Sequence, residues 1–447
     1  MFWRRDRATF RHGVHPDERK DATCRRPIER MPFVEEYVLH FSQHLGAPSR
    51  PVVGVGDRVE RGQLVAEAAG FVSVDLHSPV TGEITASELR PHPGGGMLPA
   101  LVIRTDPYDA QRIRRLEKMP DFRSEAAGLP NDDFPKWVQK AGIVGLGGAA
   151  FPTHVKMSVP EGKTVRFVVI NGCECEPFLT CDHRVMVERT DAVVAGLQWI
   201  MKQLGAERGY IGVESNKADA IDLLDERVSG MPIETVGLEV KYPQGAEKML
   251  IDAIFRKEVP SGKLPIDLEV VVQNAGTAAA VADLVRERLP LVERVLTVSG
   301  PAMKRPTNLL VPLGTSVRAI LEYCGGLDPH PRDVILGGPM MGTALKRLDV
   351  PILKGTSGIL AFDTALPSFM EEPCIRCGRC LEACPMHLNP SRLALLARYE
   401  RVDELKTHHM NDCFECASCS FVCPSHIPLV QLMRVGKAMV RKEAAKA

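Results

Sequence analysis

The sequence carries no surplus of either charge: lysine plus arginine and aspartate plus glutamate each count 56. Without a global field no nucleic acid partner is favoured, and any charge recognition has to be local. A long apolar run is also missing. Nothing approaches the roughly 18 uninterrupted apolar residues that span a bilayer, so no transmembrane segment is expected, although 45% of the chain is hydrophobic. The first residues, Met1-Phe2-Trp3-Arg4-Arg5-Asp6-Arg7, have charge but no apolar stretch behind them. That is unlike a secretory signal, and a cytoplasmic chain is expected. Finally, no lysine lies between Arg50 and Lys118, an absence that acquires meaning below.

What the sequence does have is cysteine in a tight pattern. Eight of its 13 cysteines lie in two runs, Cys374-Ile-Arg-Cys377-Gly-Arg-Cys380-Leu-Glu-Ala-Cys384-Pro385 and Cys413-Phe-Glu-Cys416-Ala-Ser-Cys419-Ser-Phe-Val-Cys423-Pro424. Each reads C-x2-C-x2-C-x3-C-P, the spacing in which three thiolates hold one [4Fe-4S] cube and the fourth reaches a neighbouring cube. Two clusters follow, one on Cys374, Cys377, Cys380 and Cys423, the other on Cys413, Cys416, Cys419 and Cys384. Paired zinc sites are the competing reading. Zinc has no use for the third cysteine or for the Cys-Pro end, both of which occur twice. His387 and His426 are left as neighbours or surface residues, because all eight ligand positions are filled. Thiolates kept out of disulfides fit a reducing compartment.

At 447 residues the chain has room for about two to four domains. Residues 1–45 read as an irregular arm rich in Arg, His and Pro. Residues 46–110 change to short β-branched runs broken by turns, such as Val53-Gly-Val-Gly-Asp57-Arg-Val59 and Ser78-Pro-Val-Thr-Gly82-Glu-Ile84, the mark of a small all-β unit. Its order is similar to the barrel-sandwich hybrid of biotinyl and lipoyl carriers. Those need a lysine at a hairpin tip, so the missing lysine predicts a scaffold module that carries nothing covalently.

Between 130 and 290 apolar strand-length runs alternate with helical patterns, which argues a Rossmann-like, mostly parallel sheet within an α/β multidomain chain. Ligands bind such a sheet beyond the carboxyl ends of its strands. The predicted strand ends are Asn171-Gly-Cys-Glu174-Cys-Glu176, Tyr242-Pro-Gln-Gly245-Ala-Glu247 and Asn274-Ala-Gly-Thr277, and they are expected to share one crevice. In front of the first strand stands Gly145-Leu-Gly147-Gly148-Ala-Ala-Phe151-Pro-Thr-His-Val-Lys156. Its bare backbone amides suit phosphate or a flat ring, with Lys156 as counter-charge. Taken alone the loop is weak evidence, since it does not match G-x-G-x-x-G after a strand. Beside two clusters it favours a nucleotide and flavin site. Cys173, Cys175 and Cys181 lack a fourth ligand and read as free cysteines.

Residues 291–349 read as a β-grasp domain, 350–370 as a linker, 371–435 as an α-helical, ferredoxin-like two-cluster domain, and 436–447 as a basic tail that includes Arg441, Lys442 and Lys446. In the cluster domain Asn389-Pro390 starts a helix between the two motifs, and a second helix begins near Pro428.

The glycine loop, the Asn171-to-Glu176 segment and the two cysteine runs, together with Gly13-Val-His15-Pro16 and Gly337-Gly-Pro-Met-Met-Gly342, resemble the RnfC/RsxC family. That family is the peripheral subunit of the Rnf ferredoxin:NAD+ oxidoreductase, and the resemblance covers nearly the whole chain. The central part is also similar to the flavin subunit of respiratory complex I, from which it departs at Cys173 and Ala246. The resemblance implies an SLBB-type β-grasp domain, FMN in the crevice and NAD(H) stacked over it. Gly145, Gly147, Gly148, Phe151 and Lys156 would meet nucleotide, Asn171, Asn274 and Thr277 the flavin, and Glu174, Glu176, Gly245 and Glu247 the flavin or nicotinamide nucleotide. It also implies the membrane subunits of the Rnf complex as partners at the cytoplasmic face of the bacterial inner membrane, with electron flow coupled to ion translocation. Carboxylates at Glu174 and Glu176 would repel a 2'-phosphate and favour NADH over NADPH. Two other readings stay open: a soluble flavin and iron-sulfur reductase of the cobalamin reductase type, and an electron-transfer adaptor with a dead nucleotide crevice.

Overall fold

The computed structural model describes residues 8–122, 133–327, 333–363 and 370–445. The Met1–Arg7 start of the arm, the 364–369 part of the linker and Lys446 of the tail lie outside them.

The centre is a four-stranded parallel sheet made of β1 (Phe167–Asn171), β2 (Arg208–Glu214), β3 (Ile233–Leu238) and β4 (Val270–Asn274). Its order is β3-β2-β1-β4, every pair parallel. Because side chains alternate along a strand, Val168 and Ile170 enter one apolar cluster and Phe167 and Val169 another. Helices therefore cover both faces. Helix α1 (Cys181–Glu188), α2 (Thr190–Leu204), α3 (Ala218–Val228) and α5 (Ala275–Glu287) contribute to the first cluster, and α4 (Glu247–Phe255) to the second. From β1 the chain steps outward to β2 and β3, then returns to the other side of β1 as β4. The reversal opens a crevice between β1 and β4.

Ahead of this domain, strands Glu36–His40, Met97–Thr105, Gly82–Pro91 and Arg58–Val59 form an antiparallel sheet. A smaller sheet of Arg50–Pro51, Leu64–Glu67 and Leu76–His77 shares its core, which includes Tyr37, Leu39, Val65, Leu76, Ile84, Leu101 and Ile103. Strand Glu36–His40, read from sequence as part of the arm, belongs to this barrel-sandwich unit. Its pairing partner lies some sixty residues further on, beyond local pattern.

The β-grasp domain corrects two more expectations. Its six-stranded sheet runs Ile28–Arg30, Thr307–Pro312, Glu293–Ser299, Gly358–Phe362, Asp333–Leu336, Thr343–Ala344, with helix Val317–Tyr323. The arm thus supplies an edge strand, parallel to Thr307–Pro312. The presumed linker supplies an inner strand, Gly358–Phe362, all five residues of which are buried. A five-residue apolar run has no polar face to betray a strand, and its neighbours on both sides come from elsewhere in the chain. Glu293 then joins three regions, accepting from Arg30 of the arm at 2.7 and 2.9 Å and from Arg61 of the barrel-sandwich unit.

The cluster domain is helical. Pro390–Arg398, Val402–Thr407 and Leu429–Ala444 close over Leu393, Leu396, Leu405, Met410, Leu429 and Met433. Pro390 occupies the first helical turn and Asn389 caps it through Arg392 N at 3.0 Å, so the Asn-Pro start works as expected.

His77 yields a prediction. It is 3% exposed with Nδ1 unpartnered, and burial, then the nearby Lys354 charge, pulls its pKa to about 3. The unfolded chain takes up this proton below about 6.5 while the fold resists. His77 therefore costs nothing above pH 6.5 and weakens the fold increasingly as pH falls toward 3. His77→Phe is expected to flatten the acid limb of urea-midpoint stability by at most ~1.4 kcal/mol per pH unit; an unchanged slope would contradict this account.

Candidate flavin crevice and cluster sites

At the carboxyl edge of the sheet, Asn171 and Asn274 are direct register partners across β1 and β4. The glycine loop closes over them. Gly145 N donates to Phe151 O at 2.8 Å, and Leu146 N donates to Thr277 Oγ1 at 2.9 Å. Asn274 caps helix α5, accepting from Gly276 N at 2.8 Å and Thr277 N at 3.3 Å, a cap worth about 1 kcal/mol. Its Nδ2 donates to Asp182 Oδ2 at 2.7 Å. The side chain of Asn274 is thereby used internally, as is that of Asn171, which donates to Gly245 O at 2.8 Å and accepts from Cys173 N at 3.0 Å.

Between these fixed points Gly147, Gly148 and Ala149 are exposed, and among the described residues their amides take no protein acceptor. A Cβ added at Gly148 would meet nothing within 4 Å. Three consecutive free amides beside the amino end of α5 form a cradle for an anion, which fits the phosphate of a flavin nucleotide. Lys156 stands at the side, donating to Glu247 Oε1 at 2.6 Å and Val272 O at 3.1 Å. The loop, Lys156, Glu247, Gly245, Asn171, Asn274 and Thr277 are brought together, and Phe151 is half-buried behind the loop.

Two expected site residues are turned away. Glu174 is 6% exposed and caps α1, accepting from Cys181 Sγ at 3.2 Å, Asp182 N at 3.0 Å and His183 N at 3.2 Å. Glu176 accepts from Met340 N at 2.9 Å and Met341 N at 2.8 Å of the β-grasp domain. Only glycine fits opposite it, since a Cβ at Gly338 would fall 2.3 Å from Glu176 Oε2. Buried carboxylates persist only when so satisfied. With both acids committed inward, their repulsion of a 2'-phosphate no longer argues for NADH.

Several polar residues were missed. Asp182 is half-buried beside Glu174, and desolvation followed by that neighbouring charge raises its pKa. Lys20 of the arm reaches the same segment, donating to Glu174 O at 2.7 Å, Glu176 O at 2.9 Å and Leu179 O at 2.5 Å. Nothing local in the sequence marks Lys20, whose targets lie more than 150 residues away. Cys173 and Cys181 are buried free thiols, and burial raises both well above the ordinary thiol range.

The cluster cysteines lie in adjoining surroundings, Cys384 facing both Cys416 and Cys380. Cys384, Cys413, Cys416 and Cys419 line one cavity, with Leu388, Leu393, Val430 and Met433. The thiol of Cys419 is pushed up by burial first and then by Cys416, Cys413 and Cys384. That is the environment of four thiols whose ionisation a metal group would have to offset. Cys423 instead neighbours Cys380, while Cys374 and Cys377 are exposed. Among the described residues no three His, Cys, Asp or Glu side chains gather around a point for one ion. A cavity with thiols around its wall suits a cube, in which each thiolate takes its own iron.

The crevice and this cavity meet. Tyr242, at the end of β3's loop, donates to Cys416 O at 2.8 Å and pairs with Val14 of the arm through two 2.8 Å backbone bonds. Tyr242, Val14, Ala383 and Cys416 form one apolar cluster against which Cys175 packs, and Cys175 Sγ in turn accepts from Gly245 N at 3.5 Å.

The exchange of fourth ligands is testable. Cys384→Ser and Cys413→Ser should each lower iron from about eight to about four per chain and erase the same paramagnetic signal, whereas Cys423→Ser and Cys374→Ser erase the other. If Cys384→Ser instead matches Cys374→Ser, each run holds its own cluster and the assignment is wrong.

Four family profiles match the chain. They are the RnfC barrel sandwich hybrid domain over residues 8–108, the Nuo51 FMN-binding domain over 138–283, the SLBB domain over 295–344 and the 4Fe-4S dicluster domain over 371–427. The C subunit of the proton-translocating ferredoxin:NAD(+) oxidoreductase complex of Clostridium ljungdahlii is 45% identical over 402 residues, covering 90% of this chain and 87% of that protein. Its counterpart in the Na(+)-translocating complex of Acetobacterium woodii is 43% identical over 443 residues, covering 98% of each. The C subunit of the ion-translocating oxidoreductase complex of Pseudomonas aeruginosa is 38% identical over 439 residues, and the match takes in 98% of this chain but 56% of that protein. With this identity sustained through all four domains, the chain belongs to the RnfC family, the C subunits of ion-translocating ferredoxin:NAD(+) oxidoreductase complexes.

Proposed function

We propose that this subunit exchanges hydride between NAD(H) and FMN held in the β1/β4 crevice and relays single electrons through two [4Fe-4S] clusters to or from membrane subunits. The observation that carries this reading is the direct packing of the Cys384, Cys413, Cys416 and Cys419 cavity on the crevice, through Tyr242, Val14 and Cys175. Nicotinamide moves electrons in pairs and each cluster takes one, so a bound flavin supplies the conversion between them.

The chain's own part is positioning. Gly147, Gly148 and Ala149 offer backbone amides to phosphate, Gly145 anchors the loop through Phe151 O, and Lys156 and Glu247 form a charged pair at its side. Asn171, Asn274 and Thr277 hold the crevice floor through their side chains, while Glu174 and Glu176 shape its wall from behind. Tyr242 and Val14 keep the nearer cluster seated, with water excluded from a buried contact. Of the other quartet, Cys374 and Cys377 are exposed beside exposed Ile375 while Cys380 and Cys423 pack against the domain core, which suits exchange with a neighbouring protein of the complex.

Among the described residues no helix is long and apolar enough to cross a membrane, which accords with a peripheral subunit. A cytoplasmic-face position is inferred from the nicotinamide pool and from thiolates that must stay reduced. Relatives of nearly equal identity are named for protons and for sodium. We therefore assign the choice of coupling ion to the membrane subunits rather than to this one.

Anaerobically purified protein is expected to hold about eight irons and one flavin per chain, with both chromophores bleaching on NADH. Iron without flavin, or flavin that NADH does not reduce, overturns the NADH-linked reading.

A further inference from the structure

The glycine loop is held from behind by another domain. Arg294, on the Glu293–Ser299 strand of the β-grasp sheet, is 3% exposed and donates to Leu146 O at 3.3 Å. Its other nitrogen donates to Lys354 O at 2.7 Å. Lys354, 1% exposed, donates to Gly142 O at 2.7 Å and to Asp75 O at 3.1 Å. Gly355 then lies against the tip of the loop, where an added Cβ would come 2.8 Å from Gly148 O. Three carbonyls of the segment 142–148 are thus met by one strand and one turn of the β-grasp domain.

The charges are the unusual feature. Arg294 lies beside the Cys181 thiol, with Asp182 and Glu174 further off, and Lys354 faces Asp75. Among the described residues neither cation makes a contact ion pair. An ordinary buried cation costs several kcal/mol unless an anion offsets it. Burial pulls the pKa of Lys354 down to about 7, so the standing charge behind the three exposed amides, which have no protein acceptor, is that of Arg294. The Leu146 carbonyl shares its peptide with the Gly147 N–H, so Arg294 turns that amide the opposite way and biases the open side of the loop toward an anion, while Lys354 holds the base of the loop at Gly142, where the next amide, Ile143 N, donates to Val138 O.

We propose that Arg294 is a positioning and counter-charge residue, and Lys354 a positioning residue, for the phosphate of the nucleotide bound by the glycine loop, so that the β-grasp domain completes the flavin site. This rests on the flavin reading above. It gives the β-grasp domain a task in nucleotide binding, although neither residue lies in the flavin-binding domain.

Apoprotein would be titrated with FMN, riboflavin and ADP-ribose by flavin fluorescence quenching or calorimetry, for wild type, Lys354→Gln, Arg294→Gln and the charge-keeping Lys354→Arg and Arg294→Lys. The glutamine variants retain hydrogen-bond donors and serve where an apolar replacement fails to fold. Wild type is expected to prefer FMN to riboflavin by at least about tenfold, and each glutamine variant to lose about that factor with riboflavin affinity held within about twofold. The charge-keeping variants should recover the preference. A loss confined to ADP-ribose would assign these residues to the dinucleotide and overturn their place in the flavin site. Equal losses for FMN and riboflavin mean a purely structural role and overturn it, as does an unchanged preference. Wild type that binds both flavins without preference also overturns it while the flavin reading survives; wild type that binds neither overturns both.

Discussion

The parallel pairing of β1 with β4 is the constraint on which the rest depends. It sets Asn171 opposite Asn274 at the reversal of the sheet, and each asparagine then spends its amide on the chain beside it. Asn274 terminates α5 so that Thr277 is presented to Leu146, and Asn171 ties the end of β1 to Gly245 at the start of the α4 segment. Loss of that register would move the glycine loop, the α5 terminus and the Tyr242 contact together, because all three are anchored at the same sheet edge. The chemistry asks for little more than this. A flavin and two clusters bring their own reactivity, and the protein has to fix their distances and keep water out.

Buried charge recurs wherever one domain meets another. Lys20 carries the arm to the segment after β1, Glu293 joins the arm and the barrel-sandwich unit to the β-grasp sheet, and Arg294 and Lys354 carry that sheet to the glycine loop. Lys217 and Glu214 form a further pair, 2.5 Å apart and almost wholly buried, beneath the same segment. Apolar seams would be at least as stable in many settings, since desolvating a charge is expensive. Directional bonds to named carbonyls, however, allow few alternative dockings. That is a useful property where a shift of an ångström alters the separation of redox centres.

The helical cluster domain is joined differently. Its own core is apolar and closed by the long terminal helix, and its contacts to the arm and the centre include Tyr242 to Cys416, Ser261 to Asp412, Gly13 N to Ala383 O at 3.3 Å, and His12 against His387 with ring centroids 4.6 Å apart. The Gly13-Val-His15-Pro16 segment, conspicuous in the sequence without an evident purpose, is here the strip between flavin domain and cluster domain. His387 is exposed apart from this ring contact.

The sequence by itself determined what is written in short-range spacing. The two-cluster domain is legible in C-x2-C-x2-C-x3-C-P, because a cube's geometry translates into fixed intervals along a chain. The alternation of β1 to β4 with their helices follows from periodicity, and the bare loop from its glycines. Tertiary structure alone decided which polar groups remain available. Glu174 and Glu176 look like ligands at a strand end, yet one caps α1 and the other holds Met340 and Met341. Gly358–Phe362 looks like a link, yet it is buried between two strands distant in the chain. Lys20, Arg294 and Lys354 have no motif at all. The physical reason is common to them: whether a carboxylate, a cation or a short apolar run is committed depends on desolvation and on partners one to three hundred residues away, and no local pattern encodes either.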